Sequence, residues 1–180
     1  MSVPVEVLIT EHKLILQAVS LMKNEAQRIQ TSQTVNAAFV TTIVDFFRTY
    51  ADRFHHGKEE GLLFRELSQK KMNDNDSKIM KELIMEHAFA RRTVTALENA
   101  KNSYVSGEKD ALKDVLANLG ELVKLYPAHI EKEDKHFFYP SMAYFSESEK
   151  EALGTNFSAF NHDFTDKRYK HVIEALSQTK

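Results

Sequence analysis

Four times along the chain, apolar side chains recur at alternating intervals of three and four residues, the spacing that lines one face of an α-helix. After Pro4 the series is Val5, Leu8, His12, Ile15, Val19 and Met22, which predicts a helix running to about residue 30. Val44, Phe47, Ala51, His55, Glu59 and Leu62 mark a second helix, with Thr34 available to cap it and the polar run 73–77 ending it. Met80, Leu83, His87, Ala90, Val94 and Leu97 mark a third, stopped near Ser106-Gly107. Leu112, Val115, Leu119, Leu122, Tyr126, His129, Glu133 and Phe137 mark a fourth, with a kink expected at Pro127 and Pro140 beyond its end. Only 5 glycines and 3 prolines are present, fewer than the turns of a multistranded fold consume. The fold class is therefore all-α: an up-down-up-down four-helix bundle over about residues 4–140. A further segment, about 146–178, opens on the capping box Ser146 to Glu149 and continues as one more helix through Phe157, Phe160, Phe164 and Val172. At 180 residues the chain is expected to form a single domain.

Composition removes several kinds of chemistry. With 24 basic and 26 acidic residues the formal charge is −2, so no basic field exists for phosphate backbones or anionic lipid, and neither nucleic acid nor membrane is expected as a partner. The absence of cysteine excludes disulfides, thiolate zinc sites, cysteine-held iron–sulfur clusters and thiol catalysis. The first residues lack the basic stretch and apolar run of a secretory signal, and no apolar run reaches the roughly 20 residues of a membrane span. A cytoplasmic protein is expected.

Within the four stripes lies an internal repeat. Glu11-His12 recurs as Glu86-His87, and the run HHGKEEGLLF starting at His55 recurs as HIEKEDKHFF starting at His129. The intervals agree as well: 55 − 12 = 43 residues in one copy and 129 − 87 = 42 in the other. Two copies of one helical hairpin make a bundle with an approximate twofold axis, which brings the four elements together in its middle.

His55 and Glu59, like His129 and Glu133, are four apart and so share a helix face, and that face is the apolar one. An unpaired buried carboxylate costs several kcal/mol, and no Arg or Lys occupies a neighbouring stripe position. A divalent cation resolves the conflict. Imidazoles from His12, His55, His87 and His129 with carboxylates from Glu59 and Glu133 form a nitrogen and hard-oxygen set suited to iron, manganese or zinc. Two carboxylates facing across a pseudo-twofold axis predict bridges between two ions. His56 points about 100° away from His55 on an ideal helix and is expected at the surface, as are His136 and His171. Lys58 and Lys132, equivalent in the repeat, read as a solvated face.

This constellation resembles the hemerythrin-like family, the HHE cation-binding domain, over about residues 4–140. The resemblance rests on Glu11-His12, HHGKEEGLLF, Glu86-His87 and HIEKEDKHFFYP. It implies a non-haem di-iron centre with His12, His55, Glu59, His87, His129 and Glu133 at the ligand positions, and roles in oxygen binding, oxygen or nitric oxide sensing, iron handling or protection from oxidants. In one respect the chain departs from the family's oxygen carriers. They add a histidine four residues after the first on the third helix, where this chain has Arg91. Two further possibilities follow: His162, with Asp163 and Asp166 nearby, as an additional ligand from the last segment, and Asp134 in place of Glu133 as the bridge.

The expected function is thus a non-haem di-iron protein whose partner is a small diatomic ligand or peroxide, with no electron donor named by the sequence. As an enzyme it would be a di-iron oxidoreductase acting on peroxide or dioxygen. The alternative is a non-enzymatic, iron-responsive binding module whose order depends on metal occupancy. A ferritin-like oxidase fits poorly, because only Glu133 to His136 supplies the Glu-x-x-His spacing that such a site needs twice.

Overall fold

A computed structural model describes residues 3–160 and 166–178, and these residues form helices joined by short turns and loops, with no strand among them. Helix α1 is Glu6–Ser32. Helix α2 covers residues 37–67: it starts as Ala37–Phe46, widens into π-helical turns at Phe47–His56 and Glu59–Phe64, and closes with Arg65–Leu67. Helix α3 is Asp74–Val105. Helix α4 covers residues 111–141, built from Ala111–Lys132, a π-helical turn Glu133–Phe137, and Phe138–Ser141. Two shorter helices follow, α5 (Glu147–Phe160) and α6 (Asp166–Gln178).

Local chemistry accounts for most boundaries. The side chain of Asn36 accepts from the Phe39 amide at 3.0 Å and that of Asn73 from the Asp76 amide at 2.8 Å, so each satisfies a donor that an α-helix start leaves free. Asn36, rather than Thr34, caps α2. The capping box at α5 forms as expected: the Ser146 amide donates to Glu149 at 2.8 Å and the Glu149 amide donates back to the Ser146 hydroxyl at 3.4 Å. Pro127 lies inside Ala111–Lys132 without ending it; the departure from α geometry comes later, at Glu133–Phe137. Where one final helix was expected, two are present. Phe164, His162 and Asp163 fall outside the described residues, and Asp166 is described only as the first residue of α6.

Helices α1 to α4 pack in a closed cycle, each against the next and α4 back against α1. Their stripes make two separate apolar cores. The larger contains Ile15 and Met22 of α1, Phe47 of α2, Val94 and Leu97 of α3, and Leu119 and Leu122 of α4. The smaller contains Leu8, Leu63, Leu83 and Phe137. On every helix the His and Glu positions fall between these two groups, so a polar layer separates two dry ones. No helix among the described residues is long and apolar enough to cross a membrane.

Helix α6 lies on α1 and α2, while α5 rests on the second π-helical stretch of α2. Gly57 allows that approach. A Cβ built there would stand 3.1 Å from the Phe160 ring, and the repeat-equivalent position on α4, which α5 does not cover, is Glu131. Gly57→Leu should therefore lower the free energy of unfolding by about 1–3 kcal/mol, the usual scale of overpacking, as read from urea or thermal melts. An unchanged melt would show that α5 does not rest on α2 at this point.

Candidate metal centre

The six histidines and glutamates singled out by the repeat meet in the layer between the two cores. His12, His55, His87 and His129 are at most 4% exposed, and Glu59 and Glu133 are fully buried. The Nε2 atoms of His12 and His55 face each other at 2.9 Å, and those of His87 and His129 at 3.1 Å. Both carboxylates span the two pairs. Glu59 has one oxygen 3.2 Å from His55 Nε2 and the other 3.4 Å from His87 Nε2. Glu133 has one oxygen 3.2 Å from His12 Nε2 and the other 3.3 Å from His129 Nε2.

An outer ring of carboxylates determines what those inner nitrogens can be. The Nδ1 of His55 meets Glu11 at 2.9 Å, that of His87 meets Glu60 at 2.8 Å, that of His129 meets Glu86 at 2.7 Å, and that of His12 meets Asp134 at 2.8 Å. A carboxylate can only accept, so each neutral imidazole carries its hydrogen on Nδ1 and turns a lone pair inward on Nε2. Basic side chains hold the ring from outside. Lys58 pairs with Glu11, Lys132 with Glu86 at 2.6 Å, and Arg91 with Glu60 at 2.6 Å. Lys58 is fully buried, its ammonium 3.7 Å from the Phe54 ring centroid, and is no part of a solvated face; Lys132 is half-buried.

Lone pairs facing at 2.9 Å repel, and all four oxygens of Glu59 and Glu133 are buried without a hydrogen bond. A cation satisfies both defects. Two ligands at right angles, each about 2.1 Å from an ion, stand about 3 Å apart, which is the spacing between these donors. His12, His55, Glu59 and Glu133 form one group that can hold a metal ion, and His87 and His129 belong to a second together with His56.

Without a cation, protons take its place. Burial pushes the His12 imidazole down, but the Asp134 and Glu133 carboxylates more than reverse this and raise it to about 9. His129 is likewise pushed down by burial and raised overall to about 10, by Glu133 and then Glu86. Glu133 is driven the other way, well below the ordinary carboxylate range: burial raises it, and His129, His12 and His87 overcome that.

Other expected positions need correction. His56 is 2% exposed and lies inside, stacked on His87 with ring centroids 3.8 Å apart. The equivalent residue Ile130, one step after His129 in an ordinary α-helix, is buried as well, so a 100° step from the inward face of these helices leads to a neighbouring helix rather than to solvent. Asp134 is 30% exposed and grips His12 from outside, so Glu133, not Asp134, faces the two histidine pairs. His136 and His171 are exposed as expected. His162 lies outside the described residues. No sequence reading gave Glu11, Glu60, Glu86 or Asp134 the role of gripping a histidine, yet the repeat contains all four acids: a Glu precedes each first histidine and an acid follows each inner Glu.

Fold and site together define a helical bundle with an internal histidine–carboxylate centre suited to metal. The chain matches the hemerythrin HHE cation binding domain over residues 3–139 and belongs to that family. No match was found among curated proteins.

The raised imidazoles give the metal-free chain a definite pH response. A group whose pKa is higher folded than unfolded stabilises the fold fully below its unfolded value of about 6.5 and loses that effect as pH rises through the folded value. The melting temperature of chelator-treated protein should thus fall between about pH 6.5 and pH 10. Metal-loaded protein should not follow, and metal uptake at neutral pH should release protons, measurable by calorimetry in buffers of different ionisation enthalpy. A metal-free melt that is flat over this window would contradict the proton-for-metal exchange.

Proposed function

We propose that this protein is a non-haem di-iron protein that binds or reacts with dioxygen, peroxide or nitric oxide in a cytoplasmic setting. His12 and His55 would hold one iron, His87 and His129 the other, and Glu59 and Glu133 would each offer one oxygen to either ion. The observation that carries this reading is the pair of buried carboxylates, each with one oxygen toward each histidine pair and no hydrogen bond to any of the four oxygens. Two imidazoles and two bridging oxygens per ion leave positions free for a small molecule. Iron, when bound there, supplies the electrons and the open coordination that such a ligand needs.

The chain's own residues supply the rest. The outer carboxylates hold each imidazole in one tautomer and one orientation. Phe138, stacked over His12 at 5.7 Å, and Phe64, stacked over His87 at 6.0 Å, close the smaller core against the centre and keep water from it. Arg91, tied to Asp52 and Glu60, stands where oxygen carriers of the family have a histidine, and so leaves the His87 side one nitrogen ligand poorer. That difference favours reaction over reversible carriage.

Elemental analysis of Fe(II)-loaded protein should find two iron ions per chain. Glu59→Ala or Glu133→Ala should reduce that number, while His171→Ala should leave it unchanged. Exposure of the reduced protein to air should then produce an oxidised spectrum rather than a long-lived oxygen adduct. A ceiling of one ion in the parent protein would exclude the bridged pair, and a stable adduct would return the centre to the carriers.

A further inference from the structure

The two halves of the centre follow the repeat closely, and three of the positions where they differ gather on one side. His56 corresponds to Ile130, Asp52 to Tyr126 and Arg91 to Leu16. Around His56, Asp52 and Arg91 lies a cavity of about 230 Å³ whose other walls include Phe47, Val94 and Tyr126. Thr95, exposed at the surface, also borders it and marks its mouth. His56 is the wall it shares with the centre, since a ring nitrogen of His56 stands within 4.8 Å of nitrogens of His87 and His129.

His56 is nevertheless poorly placed to bind the ion of that half-site. A metal lies in the plane of the imidazole that ligates it, along the lone pair. The rings of His56 and His87 are stacked, 3.8 Å between centroids and 14° between planes, so an ion in the plane of His87 lies well outside that of His56. The Nδ1 of His56 is turned to Asp52 at 3.4 Å, and Asp52 is anchored by Arg91 at 2.7 Å. A carboxylate in that position accepts the Nδ1 hydrogen and leaves Nε2 as an acceptor. An acceptor beside an open coordination position favours an incoming molecule that brings a hydrogen.

We propose that the ion held by His87 and His129 takes the outside ligand, that the ligand arrives through this cavity, and that it is a small protic molecule of the hydrogen peroxide type whose hydrogen His56 Nε2 accepts. This inference rests on the metal reading above. His56 acts as a positioning residue for the ligand, and dioxygen and nitric oxide, which bring no hydrogen, gain nothing from it.

Azide, a small anion that binds ferric iron, locates the open position. In crystals of iron-loaded protein soaked in azide, density should appear on the ion of His87 and His129, with its free end in the cavity; azide on the His12 and His55 ion would overturn the assignment. Thr95→Trp, at an exposed position, should slow azide binding in solution by about tenfold or more by blocking the mouth, and an unchanged rate would reject this route. His56→Phe keeps a ring against His87 and should retain two irons per chain. Oxidation of its di-Fe(II) form by hydrogen peroxide, in which two electrons and two protons convert peroxide to two waters, should slow about tenfold, the scale of one lost hydrogen bond. Oxidation by dioxygen should change less than about threefold, and His56→Gln, whose carbonyl accepts, should recover part of the peroxide rate. Equal slowing with both oxidants, or with neither, would overturn the preference for a protic ligand, and loss of iron from His56→Phe would make His56 a ligand instead. A parent protein without two irons fails the metal reading before any of these measurements begins.

Discussion

The interior of this bundle is organised around four buried carboxylate oxygens that have no hydrogen-bond partner among the described residues. Burying even one ionised carboxylate costs several kcal/mol, and Glu59 and Glu133 place two of them between two apolar cores. Everything nearby answers that cost. Four imidazoles turn their inner nitrogens toward the same space, four outer carboxylates fix those imidazoles, and Lys58, Lys132 and Arg91 balance the outer acids. The layer is polar from its centre to its rim, and a cation in the middle would complete it.

Much of this was legible in the sequence because two independent periodicities coincide. The alternating three-and-four spacing identified the helices and the face each one buries, and the repeat placed six metal-binding residue types on those faces. What escaped was burial supplied from beyond a helix's own apolar stripe. His56 was assigned to the surface because it stands about 100° from His55, yet in a closed cycle of four helices that step leads to α3, where it stacks on His87. Lys58 looked solvated because its burial comes from Phe54 on its own helix and from the cover that α5 lays over this part of α2. The outer carboxylates escaped for a different reason: they lie just beside the apolar stripe, where an acid ordinarily means solvent. Their repetition at matching positions was the available signal.

The approximate symmetry also makes its own exceptions informative. On the α2 side, Gly57 admits Phe160, and the corresponding flank of α4 carries Glu131 and stays open. On the α2–α3 side, a histidine, an aspartate and an arginine replace the isoleucine, tyrosine and leucine found at the equivalent positions. The two histidine pairs therefore differ in surroundings although their inner residues match, and a symmetric cradle has been given one chemically distinct side.

The outer ring has a direction as well as a membership. Glu11 of α1 grips His55 of α2, Glu60 of α2 grips His87 of α3, Glu86 of α3 grips His129 of α4, and Asp134 of α4 returns to His12 of α1. On α1 and α3 the gripping acid precedes an inward residue by one, and on α2 and α4 it follows one, the sign change required when successive helices alternate in direction. Because an α-helix is right-handed, a residue one step before the inward position leans to a fixed side of its helix. A bundle of the same four helices wound in the opposite sense would turn every acid toward the wrong neighbour, and no link of the ring would close. The side chains that dress the metal centre thus also select the chirality of the bundle, a choice that apolar stripes alone leave nearly degenerate.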